Sequence, residues 1–343
     1  MWERQLNTMW FSFQNQNNIR FAAANINTHH LYTIKFNHTD ERSPLNVKHF
    51  LSLQDLTADQ LLKIVNRAIL LKKEPDKAEQ FKNKTLALIF EKSSTRTRVA
   101  FEVAMRQLDG GAMFLSNADA QFGRGEPLED TARVLSRMVD CIAIRTFSHE
   151  KLKTFAEHSK VPVINALTDR FHPCQLLADI QTYKELRGDI TGKVVAWIGD
   201  GNNMCNSYIN AAKLLDFELR IACPNGFEPA PDVVARSKRN LALIQDPREA
   251  ATNSDLIVTD VWASMGQEHE QERRKAAFEN YKVTTEIMSL ANSSALFMHC
   301  LPAHRGEEVS GELLDHPDSV VWDEAENRMH SQKALIEYLL RGG

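Results

Sequence analysis

Nine short apolar runs alternate with segments of helical periodicity along this chain, and that alternation limits its fold more than any other feature. The first four are "TLALIF" (85–90), "GAMFLS" (111–116), "CIAIRT" (141–146) and "VPVINA" (161–166). The other five are "KVVAWIG", "ELRIAC", "LALIQD", "DLIVTDVW" and "ALFMHCLP". Between them lie helical stretches. Thr57 caps one whose apolar positions Leu61, Leu62, Val65 and Ile69 recur at threes and fours. Another runs from about Thr95 to a stop at "DGG" (109–111), others lie near 127–138 and 149–158, and "HPCQLLADIQTYKEL" closes the series. Strands this apolar, each followed by a helix, belong in parallel sheets covered on both faces. The predicted fold is therefore α/β, with two doubly wound domains joined by helices, because 343 residues exceed one ordinary core. "RGDITG" (187–192), with two glycines and a polar break, is the linker between residues 45–186 and 187–326. No repeat relates the two halves.

Composition removes several classes of function. With 41 Lys+Arg against 45 Asp+Glu the net charge is −4, so nothing favours a nucleic-acid partner. No run of eighteen apolar residues argues for a membrane span. Cys141, Cys174, Cys205, Cys223 and Cys300 are scattered without a CxxC pair, which speaks against a disulfide framework or zinc site and for a cytoplasmic setting. Residues 1–44 are rich in Asn, Gln and His and lack both the cations of a transit peptide and the apolar core of a secretory signal. They read as a disordered extension, or as the product of a start assigned too far upstream.

In parallel α/β sheets ligands bind beyond the carboxyl ends of the strands, and the polar motifs of this chain lie there. After "TLALIF", residues 92–98 hold three cations and four hydroxyls, which the sequence aims at an anion. Ser94, Thr95, Arg96 and Thr97 fall where strand gives way to helix, so free backbone N–H groups and the helix dipole favour negative charge there. The bland alternative is that Ser94 or Thr95 only caps the helix. A Walker loop is absent, and a nucleotide is not implied. Arg145 ends "CIAIRT", and His172 and Gln175 share one face of a helix start. "IGDGNN" has Gly199 and Gly201, but Met204 stands where a dinucleotide fingerprint places its third glycine, and no acid ends the next strand. A dehydrogenase-like protein is the distant alternative.

"FEKSSTRTR", "GRGEPLEDTARVL", "FHPCQLLAD", "IGDGNN", "DVWASMGQE", "HCLPAHRGEEV" and "EAENR" occur in that order from Leu45 onward. Together they resemble the ornithine carbamoyltransferases of the aspartate and ornithine carbamoyltransferase superfamily. The resemblance implies a carbamoyl-phosphate domain at 45–186, an ornithine domain at 187–326, and a last helix, 327–343, packing back on the first. It implies that Ser94, Thr95, Arg96 and Thr97 hold the phosphate of carbamoyl phosphate. Arg145 and His172 would then lie at the carbonyl oxygen, Gln175 at the carbamoyl nitrogen and Arg328 beside them. Gln121 and Arg124, on the segment 117–126, would reach a neighbouring subunit's site in a homotrimer or a multiple of trimers. Asn203, Asp260, Ser264 and Met265 would bind ornithine's α-carboxylate and α-amine, with Cys300 and Leu301 at its side-chain amine. Arg145, His172 and Cys300 are the implied catalytic set, and no metal or cofactor is required. The implied reaction joins the carbamoyl group to L-ornithine, giving citrulline and phosphate within arginine metabolism in either direction. A sister enzyme acting on putrescine or acetylornithine is the near alternative. Ser93 departs from the family pattern, where Pro or Arg is usual, but keeps the loop polar. His304 and Arg305 are weaker candidates that shape the loop.

Overall fold

The structure, a computed structural model, describes residues 11–13, 19–21, 48–116, 125–263 and 270–342. The backbone divides into two units, Met1–Asn46 and Val47–Gly343. In the first, β1 (Phe11–Phe13) pairs antiparallel with β2 (Ile19–Phe21). All the other elements belong to the second unit.

That unit opens with α1 (Ala58–Lys73), β3 (Thr85–Phe90), α2 (Thr95–Gln107), β4 (Gly111–Ser116), α3 (Leu128–Leu135), β5 (Cys141–Arg145), α4 (His149–His158), β6 (Val163–Leu167) and α5 (Pro173–Arg187). It continues with β7 (Val194–Ile198), α6 (Asn203–Leu215), β8 (Glu218–Ala222), α7 (Pro231–Ala235), β9 (Leu241–Ile244), α8 (Pro247–Ala251) and β10 (Leu256–Thr259). It closes with α9 (Gln271–Phe278), α10 (Thr285–Met288), β11 (Leu296–His299) and α11 (Val321–Leu340). All nine apolar runs form strands, and every pairing among β3 to β11 is parallel. The four-stranded sheet has the order β4-β3-β5-β6 and the five-stranded sheet β11-β10-β7-β8-β9. The fold is α/β with two parallel-sheet halves, in agreement with the alternation in the sequence.

Local signals act as their chemistry dictates. Thr57 and Gln60 form a capping box, in which the Thr57 hydroxyl accepts from the Gln60 N–H and Gln60 Oε1 accepts from the Thr57 N–H at 2.9 Å. The stop at "DGG" is made by its aspartate rather than by a glycine. Asp109 takes φ 59°, the left-handed conformation that usually falls to glycine after a helix. Gly110 is needed for space, since a Cβ there would lie 2.2 Å from Met105 Cε and 3.0 Å from the Lys84 carbonyl oxygen. α11 packs on α1, α2 and α5, and Glu337 near its end accepts from both Arg67 Nε at 2.6 Å and Nη2 at 2.9 Å.

Strand order fixes where a ligand can enter. From β3 the chain winds one way to β4 and then the other way to β5, so loops diverge beyond the ends of β3 and β5. The second sheet reverses in the same manner between β7 and β10. Crevices at such reversals are the binding places of open α/β sheets. Lys92–Thr97 follow β3, Arg145 ends β5, Asp200–Asn203 follow β7, and Asp260 follows β10.

Candidate active site

A cleft of ≈ 640 Å³ is lined from both halves of the unit, by residues that include Ser94 to Thr97, Arg145, His172, Asn203, Asp260, Cys300, Leu301 and Arg328. Of the residues marked by the sequence, these eleven converge there. Gln175 does not line it, and Gln121, Arg124, Ser264 and Met265 lie outside the described residues.

The floor of one half is the start of α2. Ser94 is its N-cap and accepts from the Thr97 N–H at 3.4 Å, and the first turn contains no acid. Around this positive end stand two buried arginines. Arg328, from α11, donates to Thr97 Oγ1 at 3.1 Å, and Arg145 approaches the same oxygen at 3.5 Å. The Nε atoms of both arginines are buried without a partner. Burial, then the nearby Arg328 cation, lowers Arg145 to about 10, and burial lowers Arg328 as well. Guanidinium groups held together out of water call for an anion between them.

His172 stands beside them as the N-cap of α5, its backbone N–H donating to Ser207 Oγ at 2.8 Å. Its Nδ1 is buried and unpartnered. Burial first, then Arg328 and Arg145, holds the ring well below the ordinary histidine range, so it is a neutral imidazole. Gln175 sits one layer back, where its Oε1 accepts from Arg328 Nη1 at 2.5 Å.

Two members of the loop after β3 differ from the expectation that all its side chains serve an anion. Arg98 turns away, pairing with Glu102 at 2.8 Å and lying 3.9 Å from the centroid of the Phe114 ring. Its cause is helical spacing, because Arg98 and Glu102 are one turn apart on α2. Lys92 does line the cleft, but its ammonium is held by Asp169 at 2.7 Å and lies 4.1 Å from the centroid of the Phe147 ring.

The opposite half is acidic and amidic. Asp260 accepts from Asn202 Nδ2 at 2.8 Å, from its neighbour's Val261 N–H at 2.8 Å, and from the Cys300 thiol at 3.1 Å. Burial, then Asp260, pushes Cys300 well above the ordinary thiol range, so it is present as the thiol. Asn203 donates to the Thr168 carbonyl at 2.7 Å and thereby ties the start of α6 to the loop before α5. Leu301 has φ 57°, and its N–H donates to His299 Nδ1 at 3.0 Å while His299 Nε2 faces Glu308 at 3.1 Å. His304 and Arg305 stay on the surface, Arg305 pairing with Asp315 at 2.7 Å, which fits loop shaping.

Asn202, Asp200 and Arg274 are among the lining residues that sequence reasoning missed. Asn202 caps α6 by accepting from the Met204 and Cys205 N–H groups, and it lay in plain view within "IGDGNN". Asp200 and Arg274 form a buried ion pair at 2.9 Å, with Asp200 raised to about 6 by burial. Asp200 carried the same motif's signal, whereas Arg274 on α9 carried none.

Comparison with known proteins covers the same ground. Residues 48–185 match the family profile described as aspartate/ornithine carbamoyltransferase, carbamoyl-P binding domain, and residues 191–339 match that of the Asp/Orn binding domain. The chain is 62% identical over 299 residues to the ornithine carbamoyltransferase of Hydrogenovibrio crunogenus, covering 86% of this chain and 99% of that one. It is 61% identical over 293 residues to that of Methylococcus capsulatus, covering 85% and 98%. The solved structure of ornithine carbamoyltransferase from Burkholderia thailandensis superposes with a TM-score of 0.81 at 51% identity, covering 86% of this chain and 99% of that chain. The Pyrococcus furiosus structure gives 0.82 at 45% identity, covering 88% and 99%.

Proposed function

The chain belongs to the aspartate/ornithine carbamoyltransferase family, and from that premise we propose how its own residues carry out the transfer. It is an ornithine carbamoyltransferase: it moves the carbamoyl group of carbamoyl phosphate to the side-chain amine of L-ornithine, giving L-citrulline and phosphate. The observation that carries the residue assignment is the gathering of Arg145, Arg328 and neutral His172 around the acid-free start of α2.

Ser94, Thr95, Arg96 and Thr97 hold the phosphate, with the free N–H groups of α2 adding their dipole. Arg145, His172 and Arg328 surround the carbonyl oxygen. As the amine nitrogen bonds to the carbonyl carbon, negative charge grows on that oxygen, and cations already in place lower the barrier. The C–O bond to phosphate then breaks as the proton lost by the amine nitrogen passes to the departing phosphate, and the resulting hydrogenphosphate dianion stays in the cradle that bound it. Gln175 acts through Arg328, and a contact to the carbamoyl nitrogen would need its amide to come forward.

On the other side Asp260 receives the α-ammonium and Asn203 the α-carboxylate, with Ser264 and Met265 completing this end. Cys300 and Leu301 flank the side-chain amine. Because the Cys300 hydrogen is committed to Asp260, the sulfur offers the amine an acceptor. An unperturbed amine of this type has a pKa of about 10.4, so exposing the neutral nucleophile at pH 7 costs about 4–5 kcal/mol, which desolvation in the cleft offsets in part.

We divide the chain at 186/187, with 327–343 returned to the carbamoyl-phosphate half. Val99, Met113, Val134 and Met138 are exposed apolar residues on α2, β4, α3 and the turn after α3. They support a homotrimer, or a multiple of one, in which Gln121 and Arg124 enter a neighbour's cleft. Five free cysteines support a cytoplasmic setting, and no helix among the described residues is long and apolar enough to cross a membrane. The test is citrulline formation from carbamoyl phosphate with L-ornithine, putrescine, N-acetylornithine and L-aspartate in parallel. Turnover with ornithine alone is expected; preference for another amine would reject the roles of Asp260 and Cys300.

A further inference from the structure

Directly behind the arginine wall lies a pair of acids to which the transfer chemistry gives no part. Asp179 on α5 and Glu324 on α11 are each 1% exposed, and their carboxyl groups are hydrogen-bonded to each other. Gln175 Nε2 donates to both, at 2.9 Å to Asp179 Oδ1 and 2.7 Å to Glu324 Oε1. The remaining oxygens are also occupied. Tyr208 on α6 donates to Asp179 Oδ2 at 2.8 Å, and the backbone N–H of His299, at the end of β11, donates to Glu324 Oε2 at 2.9 Å.

This arrangement leaves Gln175 no freedom. Both its N–H bonds are taken by the acids, so only its carbonyl oxygen can face Arg328, a cation that needs an acceptor there. Two buried carboxyls in contact cannot both ionise, and one proton lies between them. Burial and the neighbouring Asp179 raise Glu324 well above the ordinary carboxyl range, while burial raises Asp179 to about 6. The proton therefore rests on Glu324, and Asp179 is the anion at neutral pH.

We propose that Asp179 and Glu324 are positioning residues for carbamoyl transfer: as a one-proton pair they lock the Gln175 amide, aim Arg328 through it, and hold the strand end that carries Cys300. The proposal rests on the carbamoyl-transfer reading of the cleft. It joins the two substrate half-sites physically, since α5 supplies Gln175 and Asp179, α11 Glu324 and Arg328, α6 Tyr208 and β11 the His299 N–H.

Protonation of Asp179 is the step that undoes the lock. The groups facing it are Glu324 and Arg328 from α11, Tyr208 from α6, Gln175 from its own helix, and the Cys300 thiol beyond β11. Glu324, Tyr208 and Cys300 are all raised, so Arg328 is the charged group that Asp179 balances. When Asp179 takes a proton near pH 6, one of its two oxygens becomes a donor, it no longer accepts from Tyr208 and Gln175 as a carboxylate does, and the hold on Gln175 loosens. The acid limb of carbamoyl-phosphate use should therefore belong to Asp179.

The test uses the full chain and follows citrulline formation between pH 5 and 9 for wild type, Tyr208→Phe, Asp179→Asn, Glu324→Gln and Glu324→Ala. Tyr208→Phe removes one donor to Asp179 without touching the cleft. Its loss raises Asp179 further, so the acid limb of kcat/KM for carbamoyl phosphate should move to higher pH. Asp179→Asn should lower that kcat/KM by about 10- to 100-fold, in line with a misaimed catalytic group, with little change in the KM of ornithine. Glu324→Gln stays neutral and still donates to Asp179, so it should retain most of the activity that Glu324→Ala loses. An unmoved limb in Tyr208→Phe would overturn the proposal, as would Asp179→Asn with a lower melting temperature but unchanged kinetics. Equal damage in Glu324→Gln and Glu324→Ala would do the same. If Asp179→Asn does not fold, the limb of Tyr208→Phe decides alone. A wild type that makes no citrulline rejects the reaction itself, whereas an active wild type with an unmoved Tyr208→Phe limb rejects only the positioning pair.

Discussion

His172 separates two explanations of the activity's pH dependence at the level of one side chain. Burial and two arginines keep its ring neutral, so it has no proton to lose between pH 6 and 9 and cannot produce a limb there. Activity should nevertheless rise with pH through this range, because each unit exposes more of ornithine's neutral amine. His172→Ala should lower kcat by ~10²–10³, the usual cost of losing one donor to a developing oxyanion, while the shape of the profile stays the same. A profile that flattens in this variant would make His172 the titrating base. Much at this scale was legible in the sequence, because short polar motifs after apolar strands can hardly lie elsewhere than at strand ends. What stayed hidden depends on which way a helix faces. Nothing in "HPCQ" told that Gln175 would be drawn behind Arg328, and nothing in "QERRKAAF" told that Arg274 would seek Asp200.

The connection after β7 is tight. Gly201 donates its N–H to the Phe227 carbonyl at 2.9 Å, and a Cβ on it would lie 2.2 Å from Pro229 N and 2.4 Å from the Glu228 carbonyl carbon. These are backbone atoms and cannot step aside. Gly201→Ala should therefore displace Asn202 and Asn203 with the start of α6, raising the KM for ornithine by roughly tenfold or more and leaving carbamoyl-phosphate binding, measured by calorimetry, unchanged. Equal loss of both substrates would show that the whole cleft had collapsed. The end of α2 offers the opposite case. Asp109 holds a left-handed φ without using its side chain as a cap, so Asp109→Gly should stabilise the protein by up to about 1 kcal/mol in denaturant unfolding. No gain would mean that its 3.7 Å approach to Lys82 offsets the strain. The strands themselves were readable because the apolar runs are unbroken, buried on both faces in the inner strands β3, β5 and β10 and still apolar in the more exposed edge strands β4 and β9. The Asp109 turn was not, since "DGG" presents two better candidates for the same conformation.

Taken as one body, the second unit balances two opposite responses to acid. His49, His149, His172 and His330 are held below the ordinary range by burial, His149 to about 4. As pH falls through about 6.5 the unfolded chain protonates these positions and the native one does not, which removes stability. Asp55, Asp179, Asp200 and Glu324 are raised by burial, so the native state takes up their protons before the unfolded chain does, which returns stability as pH falls toward 4. The melting temperature between pH 7 and 5 should therefore change little, and replacing both Asp179 and Asp200 by Asn should make it fall clearly over that interval. Scanning calorimetry of the two proteins decides; a steep fall in wild type would mean that the acids are not raised. The helix that closes the fold has a different kind of consequence. Arg328 meets Thr97 across 231 residues of sequence, so a ribosome lays down the phosphate cradle first and supplies the arginine that completes it only 231 codons later. Any message cut short or stalled before that point yields a chain without its third cation, and the cell's carbamoyl-transfer capacity thus counts only chains carried past Arg328.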